Sequence, residues 1–243
     1  PKTSYGSPEM IDDPWFYAAA VPAVLLIGLS KGGFGGAIAL LAVPLLSLKI
    51  SPIQAAGIML PILIVMDWVG VWTYRKHWDR KLLVLLLPGA VLGIAAGGLL
   101  AGYVDDRVVR LFVGAIAILF PIYAVFKPRG GDAFILGNRP LGLISGIVAG
   151  FTSFIAHAGG PPYQAYAIPQ KLEKQIYAGT AVMFFFVVNF VKVLPYAMLG
   201  QFDQSNLTTS LILIPIAPFG VLFGAWLVKR IDQTLFYRIL YGL

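Results

Sequence analysis

The sequence has no cysteine and only two histidines among its 243 residues. That excludes disulfides, thiolate chemistry, iron–sulfur ligation and a cysteine zinc site, and two histidines alone argue against a structural metal site. No metal and no cofactor is expected. The sequence also lacks an HExxH or GxSxG pattern, a pair of aspartates on neighbouring helices and a cysteine nucleophile, so an intramembrane enzyme is not expected. Charge is scarce as well, at 12% of residues, about half of what a soluble domain carries. The net charge of +7 sits in short loops and forms no basic stripe interleaved with aromatics, which argues against nucleic acid as a partner.

What the chain does have is apolar residues, 58% of the total, with a mean hydropathy of +0.82. Apolar runs of roughly 20 residues, the length that crosses a hydrocarbon core of about 30 Å, recur along it. The expected fold class is therefore an all-α polytopic membrane protein, a single integral domain over residues 1–243 surrounded by lipid. Pro1 is not an initiator Met, and the last apolar segment stops at Leu243 after about ten residues. We therefore expect the sequence to be trimmed at both ends.

Two apolar regions are interrupted by glycine. The first break, Leu29 to Gly36, reads LSKGGFGG and carries Lys31; the second, Gly150 to Pro162, reads GFTSFIAHAGGPP. Around the first, Pro14 to Leu29 and Ala37 to Leu48 are too short to span comfortably at 1.5 Å per residue. Pro52–Tyr74, Leu82–Tyr103 and Val108–Phe126 are each long enough for a full crossing, and the polar linker 127–139 follows. The series then repeats: Leu141–Ile155, a break, Pro161–Ile168, long segments at Ile176–Leu199 and Leu207–Val228, and a short one from Leu235. Gly28, Gly57, Asp67 and Tyr74 reappear at an offset of 122 as Gly150, Gly179, Asn189 and Tyr196. Gly93, Gly97 and Asp105 reappear at an offset of 127 as Gly220, Gly224 and Asp232, and Arg110 and Gly114 match Arg238 and Gly242 one residue further on. The expected arrangement is an internal duplication, with repeat 1 at 14–126 and repeat 2 at 140–243, each of about five helical segments opening on a short pair broken at a glycine turn.

Loop charge predicts orientation. Arg75, Lys76, Arg80 and Lys81 place the 75–81 loop in the cytoplasm, and Lys127, Arg129 and Arg139 place the 127–139 linker there too. The equivalent loop of the second half, GQFDQSN, has no Lys or Arg and falls outside, and the N-terminus is periplasmic. The two repeats are then inverted, as in secondary transporters with discontinuous helices. Trp68, Trp72, Tyr74 and Trp78 read as an interfacial aromatic belt.

A helix break at membrane depth leaves backbone groups unpaired, which is tolerated only where protein or a wet cavity satisfies them. A new helix after each break turns its positive end toward that space, favouring an anion. Gly32, Gly33, Gly35 and Gly36, with Gly159 and Gly160 at the second break, would let the backbone approach such a ligand, or would pack helices closely. Lys31 is the first candidate to hold the anion, against snorkelling to an interface. Ser30, Thr152 and Ser153 offer hydroxyls that donate to an oxyanion or back-bond to their own helix. His157 and Gln164 flank the GGPP turn, as anion donors or as caps and packing groups. Asp67, Asn189 and Lys192 are candidates for coupling or gating: Asp67 pairs with Lys31, carries protons or meets a basic interface residue, and Lys192 lies one turn after Asn189 and could snorkel.

Taken together, the doubled apolar repeat, GLSKGGFGG, SPIQAAGIMLP, GFTSFIAHAGGPP and NFVKVLPYAMLG resemble the TauE/SafE family of bacterial membrane proteins, the sulfite exporter or toluenesulfonate uptake permease-like group. The resemblance covers nearly the whole chain. It implies a secondary transporter, exporter or permease, moving a small sulfur-containing anion such as sulfite or an organosulfonate across the bacterial inner membrane. A passive small-anion channel is the alternative, since the same electropositive breaks would serve it. A proton, taken up at Asp67 or His157, is the candidate coupling ion. Family members have about eight spans, fewer than the ten segments counted here, the excess being the short members of the two pairs.

Overall fold

A computed structural model describes residues 11, 13–36, 45–47, 49–103, 105, 107–109, 111, 112, 114, 115, 118 and 137–242. Most of the short piece expected at 37–48, most of the segment at 108–126 and most of the 127–139 linker lie outside the described residues. Among those described there is no β-strand. The α-helices are α1 (Pro14–Lys31), α2 (Pro52–Tyr74), α3 (Arg80–Leu100), α4 (Arg139–Ala156), α5 (Gly160–Ala167), α6 (Lys174–Met198), α7 (Gln204–Leu213), α8 (Ala217–Arg230) and α9 (Gln233–Gly242). Among the described residues, six stretches are long and apolar enough to cross a membrane: α1, α2, α3 with its short 3₁₀ extension to Tyr103, α4, α6, and α7 continuing into α8.

Side-chain caps set most of the starts. Asp13, Ser51, Asp79, Asn138, Glu173 and Asp203 each accept a backbone N–H from the first turn of the helix they precede, which satisfies donors that would otherwise be orphaned. Proline opens α1, α2 and α4, where its missing N–H removes nothing. Two expectations change. The first members of the broken pairs, α1 and α4, are each 18 residues, about 27 Å at 1.5 Å per residue. They are therefore at the lower edge of a full crossing rather than clearly below it. The segment expected at Leu207–Val228 is not one α-helix: α7 gives way to a 3₁₀ turn at Ile214–Ile216 before α8, where Pro215 and Pro218 lack the N–H a continuous ladder needs.

The helices pair through glycine. Gly28 and Gly32 of α1 press on Gly220 and Gly224 of α8, so the register climbs together and the two helices run parallel. Gly89, Gly93 and Gly97 of α3 press in turn on Leu143, Ile147 and Phe154 of α4, again parallel. Between these pairs α2 and α6 run antiparallel: Tyr74 meets Gly179, Gly70 meets Val182 and Asp67 meets Asn189. Further contacts join α2 to α8 and α3 to α6. At one end the 75–81, 171–174 and 229–233 segments meet. There the Asp79 N–H donates to Thr180 Oγ1 at 2.8 Å, the Gly179 Cα lies against the His77 carbonyl, and Lys174 Nζ donates to the Ile231 carbonyl. The basic residues Arg75, Lys76, Arg80, Lys81, Lys229 and Arg230 gather at that end.

Trp68, Trp72 and Trp78 are exposed, but Tyr74 is buried at 1% exposure and is no part of an aromatic belt. Its hydroxyl donates to the Gly32 carbonyl at 2.7 Å.

Candidate functional site

Both breaks are closed by backbone geometry that their sequences permit. After Lys31 the chain tightens through Gly32 N–H to the Gly28 carbonyl and Phe34 N–H to the Ser30 carbonyl, both at 2.7 Å. Gly35 and Gly36 then take φ of +68° and +75°, left-handed conformations that a side chain resists. The second break turns on His157, itself left-handed at φ +54°, with its N–H on the Ser153 carbonyl at 3.0 Å and the Ala158 N–H on the Thr152 carbonyl at 3.2 Å. Helices commonly end on a left-handed residue, though seldom on one as bulky as histidine. A tyrosine braces each break. Tyr74 donates to the Gly32 carbonyl, and Tyr196 donates to the Phe154 carbonyl at 2.6 Å.

Between the breaks lies a buried polar cluster. Lys31 Nζ pairs with Asp67 Oδ1, and Asn189 Nδ2 donates to Asp67 Oδ2 at 2.6 Å, so each carboxylate oxygen has a donor. Lys31 also stands 5.7 Å from the centre of the Phe185 ring, within the range of a cation–π contact. Lys192 is fully buried, and its Nζ donates to the Ser153 carbonyl and Ser153 Oγ, both at 3.0 Å, and to His157 Nδ1 at 2.8 Å. Neither lysine snorkels.

Proton positions on His157 follow from its partners. Its Nε2 lies 2.9 Å from the Ala56 carbonyl, which can only accept, so Nε2 carries the hydrogen. Nδ1 keeps its lone pair for Lys192, and the ring is neutral. Lys192 thus faces three groups able to accept, matching the three donors of an ammonium. Among the described residues no carboxylate lies within ion-pair distance of it.

The remaining candidates divide. Gln164 Nε2 donates to the Phe34 carbonyl at 2.8 Å, tying α5 to the first break. Gly36 and Gly160 line a small cavity together with Lys31, Ser153, His157 and Asn189. Gly35 lies beside Gln164 and the Tyr177 hydroxyl, and Gly159 sits against the Ala149 carbonyl and Ser153. Gly32 and Gly33 face away from the cavity, against α8 at Gly224 and Val228, so close packing accounts for both. The Thr152 hydroxyl donates to the Val148 carbonyl of its own helix at 2.8 Å, and Ser30 is buried beside Lys31. Pro161 and Pro162 leave Gly160 and Tyr163 as the nearest N–H groups on α5, and Tyr163 N–H is taken by the Gly159 carbonyl. The positive character of the second break therefore comes mainly from Lys192, less from a helix end.

The cavity has a volume of about 10 Å³, roughly what one water needs. The site is closed. A second cavity, about 130 Å³, begins behind Ala56 and Phe154 and extends to Leu199 and Gln201 at the end away from the basic loops. Toward the basic loops the interior is filled by rings, with Phe34 stacked on Phe236 at 5.8 Å and Tyr163 5.0 Å from Phe184. The Ala56 and Phe34 carbonyls and the Phe185 ring join the site with no signal in the sequence. For Tyr74 a signal existed, its match to Tyr196 at an offset of 122.

Among the described residues, six stretches long and apolar enough to cross a membrane surround a buried pair of lysines, one aspartate and a histidine, which defines a multi-pass membrane protein with a polar site in its interior. The family model described as sulfite exporter TauE/SafE matches residues 20–243. The chain belongs to the TauE/SafE sulfite exporter family, and is thus a membrane transport protein for a small anion rather than an enzyme. No curated protein and no solved structure matches it.

Proposed function

We propose that the protein is a secondary transporter that moves a small sulfur-containing anion, such as sulfite or an organosulfonate, across the bacterial inner membrane by alternating access around the buried cluster. The observation that carries this reading is the convergence of two buried lysines and a single carboxylate around a small buried cavity: Lys31, from the first break, lines it, and Lys192, from the unbroken α6, stands behind the second break at Ser153 and His157. Burying an ammonium costs several kcal/mol unless it is compensated, and a site with more cations than carboxylates is suited to an anion. Lys31, Ser153, His157, Gly160 and Asn189 are the groups within reach of it.

The chain is read as one integral domain of two inverted repeats, 14–126 and 140–243, joined by a cytoplasmic linker at 127–139. Packing supports this. Exchanging the halves turns the α1–α8 pair into the α4–α3 pair and the α2–α8 contact into the α6–α3 contact. Contact between the equivalent residues Asp67 and Asn189, with α2 and α6 antiparallel, supports a twofold axis that lies between them and across the helices, in the membrane plane. The basic end, with the 75–81 loop, is assigned to the cytoplasm and the N-terminus to the periplasm by the positive-inside rule. In that frame the cytoplasmic side is sealed by aromatics and the 130 Å³ cavity opens toward the periplasm. Alternating access exchanges the two through rocking about the axis. Asp67 and His157 are the groups available to carry a coupling proton.

The test is flux in liposomes. Preloaded sulfite should drive saturable counterflow of labelled sulfite or of an organosulfonate, and the Lys31→Ala variant should insert yet fail to exchange. Unsaturated flux that follows voltage would instead make the protein a channel.

A further inference from the structure

By formal charge the cluster holds two lysines against one aspartate. Lys31 and Asp67 form a closed pair, and Asp67 has its second oxygen on Asn189. Lys192 has no carboxylate partner among the described residues. Its three bonds go to the Ser153 carbonyl, the Ser153 hydroxyl and a neutral His157. Apart from tyrosines, no other ionisable side chain is buried among the described residues. We infer that this is a one-charge site: it takes a singly charged oxyanion, such as a sulfonate or hydrogensulfite, in preference to a dianion, and Lys192 balances that charge while Lys31 and Asp67 balance each other.

This rests on the anion-transport reading and specifies its substrate class. With Lys31, Asp67 and Lys192 ionised the protein contributes a net charge of one, so a monoanion leaves the buried complex neutral. A dianion leaves one negative charge uncompensated in a medium where that is costly. Lys192 does not itself line the cavity; Ser153 and His157 stand between. It is a positioning residue. By donating to Ser153 Oγ it occupies the hydroxyl's lone pair and frees the hydroxyl hydrogen to donate to an oxyanion. By donating to His157 Nδ1 it holds the ring in its Nε2–H form against Ala56.

The experiment is calorimetric titration of the purified, full-length protein with methanesulfonate and with sulfate at matched ionic strength. Heats are preferred to melting shifts because sulfate stabilises folded proteins nonspecifically. For the wild type we expect methanesulfonate to bind at least tenfold more tightly than sulfate. Lys192→Met should weaken methanesulfonate at least tenfold, and Lys192→Arg should restore it to within about threefold. Asp67→Asn should reverse the preference toward sulfate, because it raises the site's net charge from one to two. That reversal is something a purely structural role for these residues would not produce. If Asp67→Asn is not monodisperse, the Lys192→Met and Lys192→Arg pair decides. Sulfate binding as tightly as methanesulfonate, or a methanesulfonate affinity unmoved in Lys192→Met, overturns the one-charge site and leaves the transporter reading standing. Failure of methanesulfonate, sulfite and sulfate alike to bind folded wild type overturns both.

Discussion

The two broken helices share a backbone plan and differ in their polar chemistry. Each ends beside the buried polar cluster, each is braced by a tyrosine hydroxyl on a backbone carbonyl, and the bracing pairs Tyr74–Gly32 and Tyr196–Phe154 stand at the same offset of 122. The side chains around them do not repeat. Where the first break has Lys31 facing Asp67, the second has Ser153 and Asn189, and its cation is Lys192, whose counterpart in the first half is Gly70. The lesson is that the two breaks share the backbone scaffold while the charge each presents differs: one has a neutral ion pair, the other a cation bonded only to neutral groups.

That contrast can be broken most directly at the lysines. Lys31→Ala strands a buried carboxylate, and loss of one partner from such a pair costs about 3–5 kcal/mol. Adding Asp67→Ala should return much of that stability, a coupling readable in a double-mutant cycle of denaturant unfolding in detergent. Lys192→Ala leaves no stranded charge and should cost less than Lys31→Ala. An equal or larger loss at Lys192 would mean that the two breaks are not electrically different.

Smaller effects test the shared scaffold. An added Cβ at Gly150 would run into the Ala90 backbone, whereas at Gly28 it meets Gly220 Cα at 2.9 Å. Both glycine-to-alanine changes should destabilise by about 1–3 kcal/mol through overpacking, Gly150→Ala more than Gly28→Ala, measured as melting temperature. Tyr74→Phe and Tyr196→Phe each remove one hydroxyl donor and should cost about 1 kcal/mol apiece. Their near-equality is the point, and a difference greater than about twofold would separate the two braces. The smallest change is expected at Gly98, where an added Cβ finds Pro195 at 3.6 Å, ordinary contact. Gly98→Ala should be neutral or stabilise by up to about 1 kcal/mol, through helix propensity alone.

Much of this was legible in the sequence. Long apolar runs bounded by proline and capping residues announce membrane helices, because hydrocarbon demands that every backbone group be paired within the segment. Glycine clusters beside Lys31 and His157 marked the two breaks, and the 122-residue offset marked Asp67 against Asn189 and Tyr74 against Tyr196. The roles of individual glycines were not legible. Gly32 and Gly33 resemble Gly35 and Gly36 in the chain, yet the first two are pressed against α8 while Gly36 lines the cavity. Nor was the fate of Lys192, since a lysine about two turns from a helix end reads as well for snorkelling as for burial.

The sequence alone determined that the chain crosses a membrane several times, that two of its helices are interrupted, and which polar residues stand at the interruptions, because these follow from local hydropathy and backbone preference. Only the tertiary structure decided which of those residues meet. Lys31 has Asp67 as partner, and Lys192 has none of opposite charge among the described residues, because α2 and α6 cross antiparallel at Asp67 and Asn189. Pairing of buried charges is set by how helices pack in space, which spacing along the chain does not encode.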